Sequence, residues 1–82
     1  MKARTLGQLH PGQQAVIRQL NGPEKLRHRL ADMGLTPGAQ VRLKKTAPLG
    51  DPLEIEVRGY ALTLRRRDAE AVELFAEGGA RG

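Results

Sequence analysis

The clearest pattern along the chain is the strict alternation of Leu53, Ile55 and Val57 with Glu54, Glu56 and Arg58. A side-chain period of two places alternate residues on opposite faces, so this run predicts a half-buried strand over 53–58. Val41 and Leu43 alternate with Arg42 and Lys44, Leu62 and Leu64 flank Thr63, and Val72 and Leu74 flank Glu73. Four strands are therefore expected after residue 38. A fifth is expected over 13–20, where Ala15, Val16 and Ile17 are consecutive. The inward face is ambiguous there, and a bulge is one way to resolve it.

Between the first two strands the period changes. Leu26, Leu30 and Met33 fall at i, i+4 and i+7, one apolar stripe of a helix running from about Pro23 to Met33. Pro23 suits the first helical position, where a missing N–H costs nothing. Gly34 can take the left-handed conformation that closes a helix, with Leu35 folding back onto the last turn, and Thr36, Pro37 and Gly38 then turn the chain into the next strand. Met33, Gly34, Leu35, Pro37 and Gly38 are thus expected to be structural. Gly59 and Tyr60 read as a type II′ hairpin turn between strands 53–58 and 61–64. Residues 65–71 have room for one helical turn, with Asp68 as its cap. Residues 77–82 lack an apolar pattern and are expected to fray, which leaves 1–76 as the single domain and 77–82 as a flexible tail. The expected fold is mainly β: a small, strongly bent barrel of about five strands, with one helix after the first long strand and a short helical turn before the last. Alternation licenses the strands and not the closure.

The chain has 82 residues, and a chain of this length buries only roughly 60–65% of the surface that it exposes unfolded. One modest core is available. Tyr60 and Phe75 are its aromatics, so that core must be aliphatic. Cysteine, serine and tryptophan are absent, which removes disulfides, zinc–thiolate clusters and Ser or Cys nucleophiles. No acid–base pair or cofactor loop can be nominated, so an enzyme is the weakest class. No apolar run exceeds three residues, whereas a membrane span needs about 20, and no secretory signal is visible. The expectation is a soluble cytoplasmic protein with no stable membrane insertion.

Fourteen Lys and Arg against nine Asp and Glu give a net charge of +5, a field that favours acidic partners. Arg65, Arg66 and Arg67 are the densest basic run, and Lys44 and Lys45 join them if their strands are neighbours. Such a patch can grip phosphate, yet aromatic stacking residues are nearly absent and no base-reading helix is evident. Nucleic acid is therefore not the expected partner, and an acidic protein surface would use the same charges. His28 and Asp32, four apart on the helix, are a spacing that can supply two ligands to a divalent transition metal such as Fe(II). Two ligands do not make a site. His10, Asp51 and Glu54 would have to be brought in by folding, and the plainer reading of the pair is an i,i+4 interaction.

Two turn-rich blocks carry more information: Leu30 to Gly38, and Ala47, Pro48, Leu49, Gly50, Asp51 and Pro52. Together with Leu9, Pro11, Gly12, Ile17 and Arg29, and with Val57, Arg58, Leu62, Leu64, Arg65 and Ala69, they make the chain resemble the FeoA family over roughly residues 6–75. The resemblance implies an SH3-like barrel, which supplies the closure. It also implies a cytosolic accessory protein of bacterial ferrous-iron uptake that docks on the cytosolic part of a FeoB-type transporter, at the inner face of the membrane through that partner. A similar domain is fused to iron-dependent repressors, so the alternative is an iron-linked regulatory barrel that binds nucleic acid or another acidic partner. The chain has no Gly-x-x-x-x-Gly-Lys loop, so nucleotide chemistry would belong to the transporter. The candidate contact is the 48–52 loop: two prolines lower the entropy lost on docking, and Leu49 is an apolar tip. Leu49 could instead fold back as a barrel plug. Self-association through an exposed strand edge stays open.

Overall fold

The computed structural model describes residues 4–75; the expected tail at 77–82 lies outside the described residues. Five strands form one antiparallel sheet: β1 (Gln14–Leu20), β2 (Gln40–Thr46), β3 (Leu53–Val57), β4 (Tyr60–Leu64) and β5 (Val72–Leu74). Their order is β4-β3-β2-β1-β5. Helix α1 (Glu24–Asp32) follows β1, and the short helix α2 (Arg66–Ala69) precedes β5. The fold is mainly β, as expected. No helix among the described residues is long and apolar enough to cross a membrane.

β1 is the corner of the sheet. Its first half pairs with β2, Ala15 opposite Val41, and its second half pairs with β5, Leu20 opposite Val72. The register shifts between Ile17 and Gln19, and the extra residue bends the strand and raises its twist. The ambiguity of three consecutive apolar residues is resolved here: Ile17 is buried, while Ala15 and Val16 are half-buried. The bend folds the two halves over one aliphatic core containing Ile17, Leu30, Leu35, Leu43, Leu53 and Ile55. No polar or charged residue is buried among the described residues.

Helix α1 sits on this core through Leu30, with Leu26 and Met33 packed against its margin. Its C-terminus is a Schellman closure: Leu35 N–H donates to Leu30 O (3.1 Å) and Gly34 N–H to Ala31 O (2.9 Å), with Gly34 at φ +94° and Leu30 and Leu35 both buried. This arrangement satisfies carbonyls that the helix itself cannot. The chain then turns through Thr36–Ala39, where Ala39 N–H donates to Thr36 O (3.0 Å). Pro23 lies one residue earlier than expected, at the N-cap with ψ 153°. There its carbonyl accepts the first helical bond from Arg27 N–H (3.0 Å).

Three local expectations change. The β3–β4 turn is Arg58–Gly59 and not Gly59–Tyr60, because Val57 pairs with Tyr60. Both turn residues have positive φ, 53° and 85°, the type I′ twist that matches flanking strands. Arg58 holds this conformation while its guanidinium donates to Gly34 O (3.2 Å) and Thr36 Oγ1 (2.6 Å), and Tyr60 Oη donates to Met33 O (3.0 Å). The hairpin tip thereby caps the end of α1, a cation at the negative end of the helix dipole. Asp68 is not the cap of α2. It lies inside that helix and accepts from Arg29 Nη2 at 2.9 Å. The third change is a 3₁₀ turn at Leu6–Gln8 that alternation does not reveal, with Leu6 buried.

Gly34→Ala is expected to cost about 1–2 kcal/mol from backbone conformation alone. A Cβ there would lie 2.9 Å from Tyr60 Oη, whereas at Gly38, φ +91°, it would meet nothing within 4 Å. Urea denaturation should therefore show a larger loss for Gly34→Ala than for Gly38→Ala. Equal losses would mean that the Tyr60 contact contributes nothing.

Candidate functional site

The 47–52 loop is built as a projecting turn on a fixed base. Gly50 N–H donates to Ala47 O (2.7 Å), and Ala47 N–H to Pro52 O (3.0 Å). Pro48 and Leu49 are then the two central residues, and proline pre-sets φ at the first of them. Gly50 follows at φ +87° and Asp51–Pro52 is a cis peptide. The base is held from across the molecule by Arg66, which donates through Nε to Gly50 O (2.8 Å), through Nη1 to Gly7 O, and through its backbone N–H to Asp51 Oδ1 (3.1 Å). Asp51 thus caps α2, the role that the sequence assigned to Asp68.

On this base Leu49 is 97% exposed. The plug alternative is thereby excluded in this geometry. Within the expected contact set Pro48 and Leu49 form the free tip, Pro52 is exposed, and Gly50 and Asp51 serve the base. Two depressions flank the loop. One, of about 320 Å³, is lined by Lys45, Thr46, Ala47, Pro48, Pro52, Glu54 and Thr63. The other, of about 440 Å³, is lined by Asp51, Arg65 and Arg67.

The five cations do not form one patch. β3 lies between β2 and β4, and Lys45 Nζ is 3.7 Å from Glu54 Oε1 on that strand. Lys44 falls at the register shift between Leu43 and Lys45. Arg66 is turned inward to two backbone carbonyls, so a planar fork of donors that could bind phosphate is already occupied. Arg65 and Arg67 remain exposed. His28 does not meet Asp32: its Nε2 lies 3.7 Å from Glu24 Oε2, with both side chains about three-quarters exposed. Asp51 and Glu54 are engaged elsewhere. Among the described residues no group of three or more His, Cys, Asp or Glu side chains is placed to hold a metal.

One polar cluster escapes sequence reasoning. Gln19 Nε2 and Asn21 Nδ2 each donate to Glu73 Oε1 at 3.0 Å, and Arg18 Nε lies 3.6 Å from Glu73 Oε2. The Asn21 bond above all, then the Gln19 bond and the charges of Arg18 and Arg4, hold the Glu73 carboxyl below the ordinary carboxylate value against the desolvation that raises it. This cluster ties β1 to β5 on an exposed face. Only the β1–β5 register assembles it, which is why residues 18 to 21 carry no signal for it in the sequence.

The family model of the FeoA domain matches residues 4–74. A Fe(2+) transport protein A/Fe(2+) transporter FeoB fusion protein of Porphyromonas gingivalis is 38% identical over 69 residues, 84% of this chain and 8% of that protein's length. The solution structure of iron(II) transport protein A from Clostridium thermocellum superposes with a TM-score of 0.83 at 36% identity, covering 92% of this chain and 46% of that one. The crystal structure of Stenotrophomonas maltophilia FeoA with zinc, described as a prokaryotic SH3 domain protein, gives 0.76 at 26% identity, covering 95% and 94%. Fold, turn blocks and sequence therefore agree, and the chain belongs to the FeoA family.

Proposed function

We propose that this chain is a non-enzymatic docking module of bacterial ferrous-iron uptake, binding the cytosolic part of a FeoB-type transporter through the 47–52 loop with Leu49 as the central contact. The observation that carries this reading is Leu49 itself: a leucine 97% exposed at the tip of a braced turn. Burying such a side chain on association contributes about 1.5–3 kcal/mol, and a base already fixed by Arg66 lowers the ordering cost of doing so. The Porphyromonas gingivalis relative joins transport protein A and FeoB in one polypeptide, an arrangement that raises the effective concentration of one module at the other. Docking shifts an equilibrium in the transporter, where the nucleotide chemistry resides. The nucleic-acid reading has less support, since Arg66 is held by Gly7 and Gly50.

The test is a pull-down with the cytosolic domain of a FeoB-type transporter. Leu49→Asp should weaken capture by at least about 10-fold, a charge having replaced a buried apolar side chain, while the circular dichroism spectrum stays native. Undiminished capture by a folded Leu49→Asp protein would remove the loop as the contact.

A further inference from the structure

The two edges of the sheet are built differently. The outer side of β5 is occupied: Leu74 N–H donates to Arg4 O (2.8 Å) and Thr5 bridges Glu73. β4 has no such cover among the described residues. In a two-residue hairpin the pair next to the turn, here Val57 and Tyr60, exchanges both backbone bonds, and alternation directs Leu62 and Leu64 to β3 in the same way. Ala61 and Thr63 then aim N–H and C=O away from β3. Neither makes a backbone bond outside the strands, and both residues are exposed. Two donors and two acceptors stand in a row at the spacing of a strand.

Free edges are usually blunted by Lys, Pro or a bulge. The run Tyr60-Ala61-Leu62-Thr63-Leu64 has no charge and no proline, and it pairs with β3 without a register shift; the shifts lie in the interior strands. Its C-terminal end leads into the depression lined by Arg65, Arg67 and Asp51. Neither arginine has an ion-pair partner among the described residues.

Charge selects the occupant. A second copy would bring the same net charge of +5 to an edge that ends in the exposed Arg65 and Arg67, and like charges repel. An extended segment with carboxylates at the end that meets Arg65 and Arg67 finds opposite charge. We propose that the outer edge of β4 docks an extended segment of an acidic partner protein as a sixth strand, Ala61 and Thr63 supplying the main-chain bonds and Arg65 and Arg67 seating an acidic residue. Backbone bonds give the affinity in this mode, and flanking contacts give the selectivity. This contact is separate from that of Leu49 and stands or falls without it.

The probe is a labelled synthetic peptide of about nine residues, alternating Val and Thr with Glu at both ends, titrated into the full chain at low salt and followed by anisotropy and amide NMR. Expected are shifts centred on the Ala61 and Thr63 amides. Affinity should fall about 10-fold for Ala61→Pro, which deletes an outward N–H and spares the ladder to β3. It should fall about 5-fold for Arg65→Ala with Arg67→Ala, and similarly for the same peptide ending in Lys. Thr63→Pro repeats the test should Ala61→Pro not fold. The proposal is overturned by equal binding to the folded proline variant or by no binding of the acidic peptide. It is equally overturned by Ala61 and Thr63 shifts that grow with protein concentration alone, which would name a second copy, or by stronger binding of duplex DNA at the same arginines.

Discussion

Leu30→Ala is expected to remove most of the stability of this protein. Leu30 is fully buried, and it is where α1 enters the core and where the Schellman closure takes its 6→1 bond. Truncating a buried leucine costs about 2–5 kcal/mol through lost transfer energy and the cavity left behind. A domain of this size holds only about 3–5 kcal/mol in total. The urea midpoint should fall close to zero, with a large unfolded fraction in buffer at 25 °C. Leu30→Met, which conserves volume, should cost less than about 1.5 kcal/mol. A loss below about 1 kcal/mol for Leu30→Ala would mean that the site collapses around the alanine and that the helix is fixed mainly by its polar contacts to the β3–β4 hairpin.

Arg66→Ala is expected to be the most costly change among the charged residues. Its side chain is half-buried and joins the candidate loop at Gly50 to the 3₁₀ turn at Gly7. Removing it leaves two carbonyls with no protein donor, at about 1–3 kcal/mol for each that water does not reach. The Asp51 bond to the backbone of residue 66 survives the substitution, so α2 keeps its cap. The expected result is a fall of about 2–3 kcal/mol in urea, with faster amide exchange at Gly50. Arg66→Lys should restore little, because an ammonium lacks the fork that spans two acceptors. Arg67→Ala, on the exposed face of α2, should stay within about 0.5 kcal/mol of the parent. Equal effects at 66 and 67 would show that the inward turn of Arg66 contributes nothing to stability.

The contrast between these two arginines marks the limit of sequence reading here. In the chain, Arg65, Arg66 and Arg67 are three equivalent charges, and only α2 packed near the 3₁₀ turn and the loop separates them. The same holds for Asp51 and Asp68. Sequence distance favours Asp68 as the cap of α2, yet a loop 15 residues away delivers Asp51 to that N-terminus. His28 reads as a partner of Asp32 by the i,i+4 rule, yet the structure places Glu24, four residues to the other side, beside it.

What the amino-acid order determined by itself was everything written in short periods. Alternation located β2 to β5, an i, i+4, i+7 stripe located α1, and Gly34 stopped it, because local sterics and the sidedness of burial act over a few residues. Its turn-rich blocks carried the family. The tertiary structure decided what depends on residues distant in the chain. It set the bend at Ile17 and Gln19, the I′ turn that makes Tyr60 part of a strand, and the Arg66 brace. It also settled that Leu49 stands in solvent: a leucine after a proline has the same local propensity whether it plugs a core or projects from it, and it is the assembled loop, held at Gly50 and Asp51 by Arg66, that presents it to solvent.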